Sequence, residues 1–346
     1  MIEIKSKEFT QPVVAQKKDI NMEKGYTLKL TIYQIVIKKT ASKDYVAYKD
    51  LLKDVTSETD KNAAFSKFNN LFIKSFNDKF IKNREETKAI AIQSVNSVPQ
   101  MNIIDGMLVG GLTGVEQDVY KSSSSKSIGK SISDDEVSTL PYYFKLWMPD
   151  DSNHGVLMVQ SYTEVGVVSL IDQKIKSFIR GYGYSIATTK HVPKEYKEEF
   201  KKKSIVQNLT LSKTKMSESA RGALNQLFAS FEGLKVEIKI SGFNVPIDKF
   251  WEKIDKNQPI DADLSSFEMN AEEHDYDVIA TYKDESGRQS QARLSKNLDI
   301  LPNIILPEDL KENGKQYPDY EKIREHTDAI LEEVKKEIGY TPNEVE

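Results

Sequence analysis

Hydrophobic and polar positions alternate with a period of two from Tyr26 to Lys38 (YTLKLTIYQIVIK), which predicts a strand with one face buried. Further on the period lengthens. Phe65, Phe68, Phe72, Phe76 and Phe80 recur at three and four residues, behind N-cap candidates in Ser57–Asp60. A stripe of this kind is either a stacking or partner-binding surface or the core face of a helix, and the pattern favours the core. Lys88–Val95 and Asn102–Val109 read as two more strands.

The stretch from Leu140 to Arg180 organises the rest. Tyr142–Met148 is a dense aromatic and apolar run, stopped by Pro149 and Asp150. Asp-Asp-Ser-Asn-His-Gly155 is turn chemistry, and Val156–Tyr162 is a second run suited to a pleated surface. The short connection predicts an antiparallel pair. Val167, Val168, Ile171, Ile175, Phe178 and Ile179 then recur at helical spacing, and Gly181 and Gly183 end that helix. Ahead of this unit, Gly110–Glu136 loses apolar periodicity to serine and glycine and reads as a loop or linker.

Downstream, Tyr184–Thr189 reads as a strand, Pro193–Lys203 as a short charged helix, and Val206–Lys213 as extended chain. Ser217–Phe231 reads as one helix. Lys235–Ile240 alternates cleanly and is expected to end at Gly242. Pro246–Ile254 reads as a helix start. His274–Lys283 and Arg288–Lys296 flank a turn at Gly287 and predict a hairpin. Pro318–Ile338 carries the stripe of a final helix, with Asp319 as its cap and Gly339 beyond its end. Strands mixed with helices in this order predict an α+β fold of mostly antiparallel sheets with packed helices in two lobes. The expected parts are an N-terminal α+β region at 1–110, the Ser/Gly-rich segment at 111–136, and a central and C-terminal region with its terminal helix at 137–340.

Composition adds bounds. The 346 residues include 38% hydrophobic and 29% charged positions, enough for a sizeable core and a well-solvated surface. Cysteine is absent, which excludes disulfides, thiolate nucleophiles and Cys-based metal sites. No apolar run long enough for a bilayer and no signal-like opening is visible, so the expectation is a cytoplasmic protein. The net charge of −4 conceals a split. Lys174–Arg221 holds twelve Lys or Arg against four Glu, whereas Phe267–Glu346 holds ten against twenty Asp or Glu. Such asymmetry points to a basic face and an acidic C-terminal segment able to cover it.

Candidate chemistry is sparse. Gly129-Lys130-Ser131 resembles the end of a phosphate-binding loop, but Ser124 stands where the first glycine is required. His154, His191, His274 and His326 stand far apart, without metal-ligand spacing. Glu237-Ile-Lys239 matches half of a metal-dependent nuclease site, yet no Asp lies between Asp172 and Glu237. A strand with charges on its wet face explains it equally. The strongest signal is the basic stretch: Lys174, Lys176, Arg180, Lys201, Lys202, Lys203, Lys213, Lys215 and Arg221, with Tyr182, Tyr184 and Tyr196 among them. Lysine-rich surfaces suit contact with phosphates more than reading of bases.

The element order also resembles that of the RexA phage-exclusion proteins of lambda-like prophages. The features that carry the resemblance are an Ile104-Asp105-Gly106 turn opening an apolar strand, a polar Ser/Lys segment ending in Asp134-Asp135-Glu136, and the Leu140-Pro141-Tyr142-Tyr143-Phe144 strand. Gly155 before an apolar strand and helix, and the late hairpin before an acidic terminal helix, complete it. It spans roughly residues 100–340 in outline, with few identical residues. It implies a cytosolic, non-enzymatic sensor, without cofactor, that binds double-stranded DNA with little sequence preference, self-associates as a homodimer, and acts with a membrane-channel partner to abort infection. Individual functional residues do not transfer. The readings that compete with it are a metal-dependent nuclease using Glu237 and Lys239, and a protein–protein interaction scaffold.

Overall fold

The computed structural model describes residues 26–76, 79–120, 128–162, 166–213, 216–246, 277–283, 289–294 and 302–341. In chain order it opens with β1 (Leu28–Lys39), α1 (Tyr48–Thr56), α2 (Lys61–Lys74), β2 (Ile81–Lys82), β3 (Lys88–Val98) and β4 (Ile103–Leu112). Then come β5 (Gln117–Tyr120), β6 (Ile128–Ile132), β7 (Ser138–Trp147), β8 (His154–Tyr162), α3 (Val168–Arg180) and β9 (Tyr184–His191). The last part holds α4 (Lys194–Lys203), β10 (Ile205–Lys213), α5 (Glu218–Leu224), β11 (Val236–Pro246), β12 (Asp277–Lys283), β13 (Gln289–Leu294), β14 (Ile304–Ile305) and α6 (Tyr320–Glu337). The chain is α+β, and every described strand pair is antiparallel.

An eight-stranded sheet runs β14-β1-β8-β7-β4-β3-β2, with β9 also on β1. One edge of β1 is given to β8. Its other edge is shared: β14 holds Lys29–Leu30 and β9 holds Ile32–Lys39. The alternation read in the sequence holds in two phases: Leu28, Leu30 and Ile32 are buried on one face of β1, and Ile35 and Ile37 on the other.

Register assigns the two faces. Lys145 lies opposite Met158, Met158 opposite Ile32, and Ile32 opposite His191, so all four project to one side. That side carries α6, whose Asp328 bonds Lys145 and whose Glu337 meets His191. The adjacent row of Leu146, Leu157, Tyr33 and Lys190 projects to the other side. There α3 packs, its Lys176 bonding Thr188. Phe65, Phe68, Phe72 and Phe76 are core residues, and Phe178 of α3 packs edge-on against Phe68 and Phe72. Helices thus cover both faces, which explains why β7 reads as a nearly continuous apolar run.

A four-stranded sheet, β11-β10-β12-β13, contains the late hairpin, and β5 and β6 form a two-stranded one. Helix α4 reaches both larger sheets. Tyr196 packs on the core of the eight-stranded sheet, and Phe200 stands edge-on to Tyr282 of β12. Among the described residues no helix is long and apolar enough to cross a membrane.

Several expectations change. The 111–136 segment does not separate two sheets: β1, β3 and β4 before it share one ladder system with β7, β8 and β9 after it, and part of it is the β5–β6 hairpin. Ile104-Asp105-Gly106 is no turn but part of β4, from its second residue to its fourth. The expected helix over 217–231 breaks at Asn225, whose extended backbone ends α5 and whose side chain accepts from Leu227 N to start a 3-10 turn. Arg221 then bonds the Ala229 carbonyl and fixes the break. Gly242 does not end β11; it sits inside it at φ 99°, beside an irregularity in the pairing. The helix start expected at Pro246–Ile254 lies outside the described residues except for Pro246, the last residue of β11.

Candidate nucleic-acid interface

The nine cations singled out from the sequence do not form one patch. Lys174, Lys176 and Arg180 ride on α3, on one face of the large sheet. Helix α4, with Lys201, Lys202 and Lys203, starts on the other face, where Glu337 of α6 accepts from Lys194 N at 2.7 Å. Lys213 is the last residue of β10, and Lys215 lies outside the described residues.

Several of these cations are engaged in holding the fold. Lys174 donates to the Ser75 carbonyl at 2.6 Å and lies 5.0 Å from the Phe76 ring centre, and burial lowers its pKa. Lys176 bonds Asp172 at 2.7 Å and Thr188 Oγ1 at 2.8 Å. Arg221 donates to the carbonyls of Met216 and Ala229. Lys203 pairs with Glu199 at 2.5 Å on the same helix, an exposed pair of small energetic weight. Arg180 and Lys202 are exposed.

Arg180 belongs to a different cationic group, which the sequence reading missed. It ends α3, and the following Gly183 turns back at φ 84° so that its carbonyl accepts from Thr40 N at 2.9 Å. That bond ties the α3–β9 turn to the β1–α1 loop. The β1–α1 side of that bond carries Lys38, Lys39, Lys43 and the exposed Tyr45 (61%), and the α3–β9 side carries Arg180 and the exposed Tyr182 (38%); as successive residues of β1, Lys38 and Lys39 project to opposite faces. The Lys38 ammonium sits 4.4 Å from the centre of the Tyr45 ring. Lys43 itself has φ 62°, so the loop is held in a defined, left-handed step. Asp44 is its nearest acidic neighbour in sequence, and its backbone N–H donates to the Ser42 hydroxyl. The signal was present in the sequence as the run Lys38-Lys39-Thr-Ala-Ser-Lys43-Asp-Tyr45. It lies far from the 174–221 stretch in sequence, and the β1–β9 pairing, Lys39 against Tyr184, joins the two together with the Thr40–Gly183 bond.

A second group of ionisable residues is buried. Asp105 and Lys145 are 2% and 1% exposed, between the sheet and α6. Lys145 donates to Asp328 and, at 3.1 Å, to the Arg324 carbonyl. Asp105 accepts from the Tyr320 hydroxyl at 2.8 Å and from Asn96 at 3.4 Å. Burial raises the Asp105 carboxyl, with Tyr320 and Lys145 opposing it, and lowers the Lys145 ammonium, with Asp328 opposing that shift. Every partner belongs to the fold, so this group clamps α6 to the sheet.

The remaining candidates stay dispersed. Glu237 of β11 pairs with Lys235 at 2.5 Å and is half exposed. In the ladder it lies opposite Ser212, which lies opposite Asp277, so two carboxylate-bearing positions share a row two strands apart. Among the described residues, no three His, Cys, Asp or Glu side chains come together as a metal site. Gly129-Lys130-Ser131 lies within β6, with no helix following to receive a phosphate. His154 bonds Gln34 at 2.8 Å, His191 bonds Glu337 at 2.9 Å, the His326 Nε2 is buried without a partner, and His274 lies outside the described residues. In the comparisons with known proteins, the chain matches no protein family and no curated protein.

Proposed function

We propose that the chain is a non-enzymatic protein that binds double-stranded DNA through its phosphates, with little sequence preference, as a sensor in bacterial or prophage antiphage defence. The observation that carries the DNA reading is the bond from Thr40 N to the Gly183 carbonyl. It joins the segment that carries Lys38, Lys39, Lys43 and the exposed Tyr45 to the turn that carries Arg180 and the exposed Tyr182. Four cations of this kind contact adjacent phosphates and release counterions, and tyrosine hydroxyls add neutral phosphate bonds. The support for defence is the resemblance in element order to the RexA proteins read from the sequence, without its turn at 104–106, and the cytosolic setting and the membrane-channel partner rest on that resemblance.

The test is a titration of labelled duplex DNA at several salt concentrations, with and without Mg²⁺. Wild type is compared with a Lys39→Glu, Lys43→Glu, Arg180→Glu variant and with a Lys202→Glu, Lys203→Glu variant. Binding is expected to weaken steeply with salt and to leave the DNA intact. The triple variant loses at least about tenfold in affinity and flattens the salt slope by about one per lost cation. The α4 variant changes little. Absence of binding at low salt refutes the reading, and Mg²⁺-dependent cutting replaces it with the nuclease.

A further inference from the structure

The two larger sheets are joined by a short stretch of chain. β9, on the edge of the eight-stranded sheet, ends at His191. Val192 and Pro193 lead from it into α4, and Ser204 alone leads from α4 into β10 of the four-stranded sheet. Residues at the ends of elements are where a chain absorbs the φ and ψ changes of a hinge. Tyr196 of α4 packs on the core of the large sheet, and Phe200, one turn later, lies with its ring 4.4 Å from that of Tyr282 in the small one. The direction in which α4 leaves β9 therefore sets how the small sheet is carried.

Helix α6 meets this joint from outside it. The Glu337 carboxylate touches both sides: Oε2 lies 2.9 Å from Nε2 of His191, the last residue of β9, and Oε1 accepts from Lys194 N, the first residue of α4, at 2.7 Å. The end of α6 is itself anchored to the large sheet. Tyr340 stands edge-on to Trp147 at 4.8 Å, and its hydroxyl donates to Asp151 at 3.2 Å. A second pair opposes the bridge. Glu333 of α6 faces Glu195 of α4 carboxyl to carboxyl, and burial, with Glu195 and Glu337 beside it, raises the Glu333 carboxyl.

We propose that Glu337 is a pin across the β9–α4 joint, by which the terminal helix fixes the angle between the four-stranded and the eight-stranded sheet. A helix cap requires only the bond to Lys194 N. The contact of the other oxygen with His191 makes the same carboxylate span the joint. With the pin in place the angle takes one value. Without it, Glu195 and Glu333 push α4 away from α6, and the angle spreads.

The chain has no cysteine, so two introduced ones carry labels without interference. Asn70→Cys on α2 and Lys239→Cys on β11, both at exposed positions, place one spin label on the body of each sheet. Pulsed dipolar spectroscopy of the full chain, without DNA, is expected to give one narrow distance distribution. Glu337→Ala broadens it. His191→Ala broadens it too, although the bond to Lys194 N remains. Glu337→Gln keeps it narrow, because the amide still accepts from Lys194 N and meets the imidazole. Far-UV circular dichroism checks that each variant is folded; if Glu337→Ala is not, His191→Ala and Glu337→Gln decide. A broad distribution in the labelled parent, or an unchanged one in His191→Ala, overturns the proposal. Broadening by Glu337→Ala alone leaves Glu337 as a cap of α4 and overturns it equally. None of these readouts depends on DNA binding.

Discussion

Asp105 and Lys145 stand opposite each other on neighbouring strands β4 and β7, and α6 closes over both. The terminal helix is therefore fixed to the sheet by charges as well as by its apolar stripe of Ile323, Ile330, Leu331 and Val334. A buried charge that loses its partner is far more costly than the intact pair is stabilising. Lys145→Ala leaves Asp105 and Asp328 without the ammonium, and is expected to lower unfolding free energy by about 3–5 kcal/mol. Denaturant unfolding followed by circular dichroism measures it.

The same pair gives a pH signature. The native Asp105 carboxyl holds its proton to higher pH than in the unfolded chain, where it titrates near 3.9. Its stabilising contribution is therefore full below the unfolded value and is lost as pH rises through the raised native one. Asp105→Asn removes that loss. The stability of wild type relative to this variant should fall from about pH 4 upward. A pH-independent difference between the two would show that Asp105 is not shifted.

Gly111 illustrates a different constraint. A Cβ there would press into the carbonyl oxygen of Ser138 on the neighbouring strand, and one at Gly106 into that of Ser94. Gly111→Ala must force β4 and β7 apart, at a cost of about 1–3 kcal/mol or more. Gly233→Ala, with open space around it, should leave the unfolding midpoint nearly unchanged.

Helix α4 has no capping side chain of its own at Pro193; Glu337 of α6 accepts from Lys194 N instead. Glu337→Leu is expected to speed amide exchange throughout the first turn of α4. The stability loss should match that of a missing cap, about 0.5–2 kcal/mol. Unchanged exchange in α4 would show that the bond is incidental.

Much of the fold was legible because period and burial agree. α3 and α6 follow their apolar stripes to within a few residues, whereas α2 stops at Lys74, short of Phe76 and the exposed Phe80, and β1 changes its buried face after Ile32. The illegible parts are those decided by distant contacts. Asp105 resembles a turn residue until Lys145 and Tyr320 are brought around it. Ser217–Phe231 has helical spacing, but Arg221 and Asn225 satisfy backbone groups in a way that breaks it. Charge counted along the chain grouped α3 with α4, whereas the side-chain alternation of β9 and the turn after it put them on opposite faces. The same strand pairing joined the turn after Arg180 to the segment of Lys39 and Lys43, which no spacing in the sequence indicates.

The divided edge of β1 sets an order of assembly. Residues 304 and 305 complete the side of a strand that begins at residue 28, and residues 320–337 roof the face it shares with β7. On the ribosome β1, the first of the described strands to emerge, waits for β14, the last of them. Until then Lys145 lies without the Asp328 carboxylate, and part of the sheet face is bare. Such non-local closure is slow. The sheet face that α6 covers stays exposed to solvent for that interval, and the docking of α6 ends it.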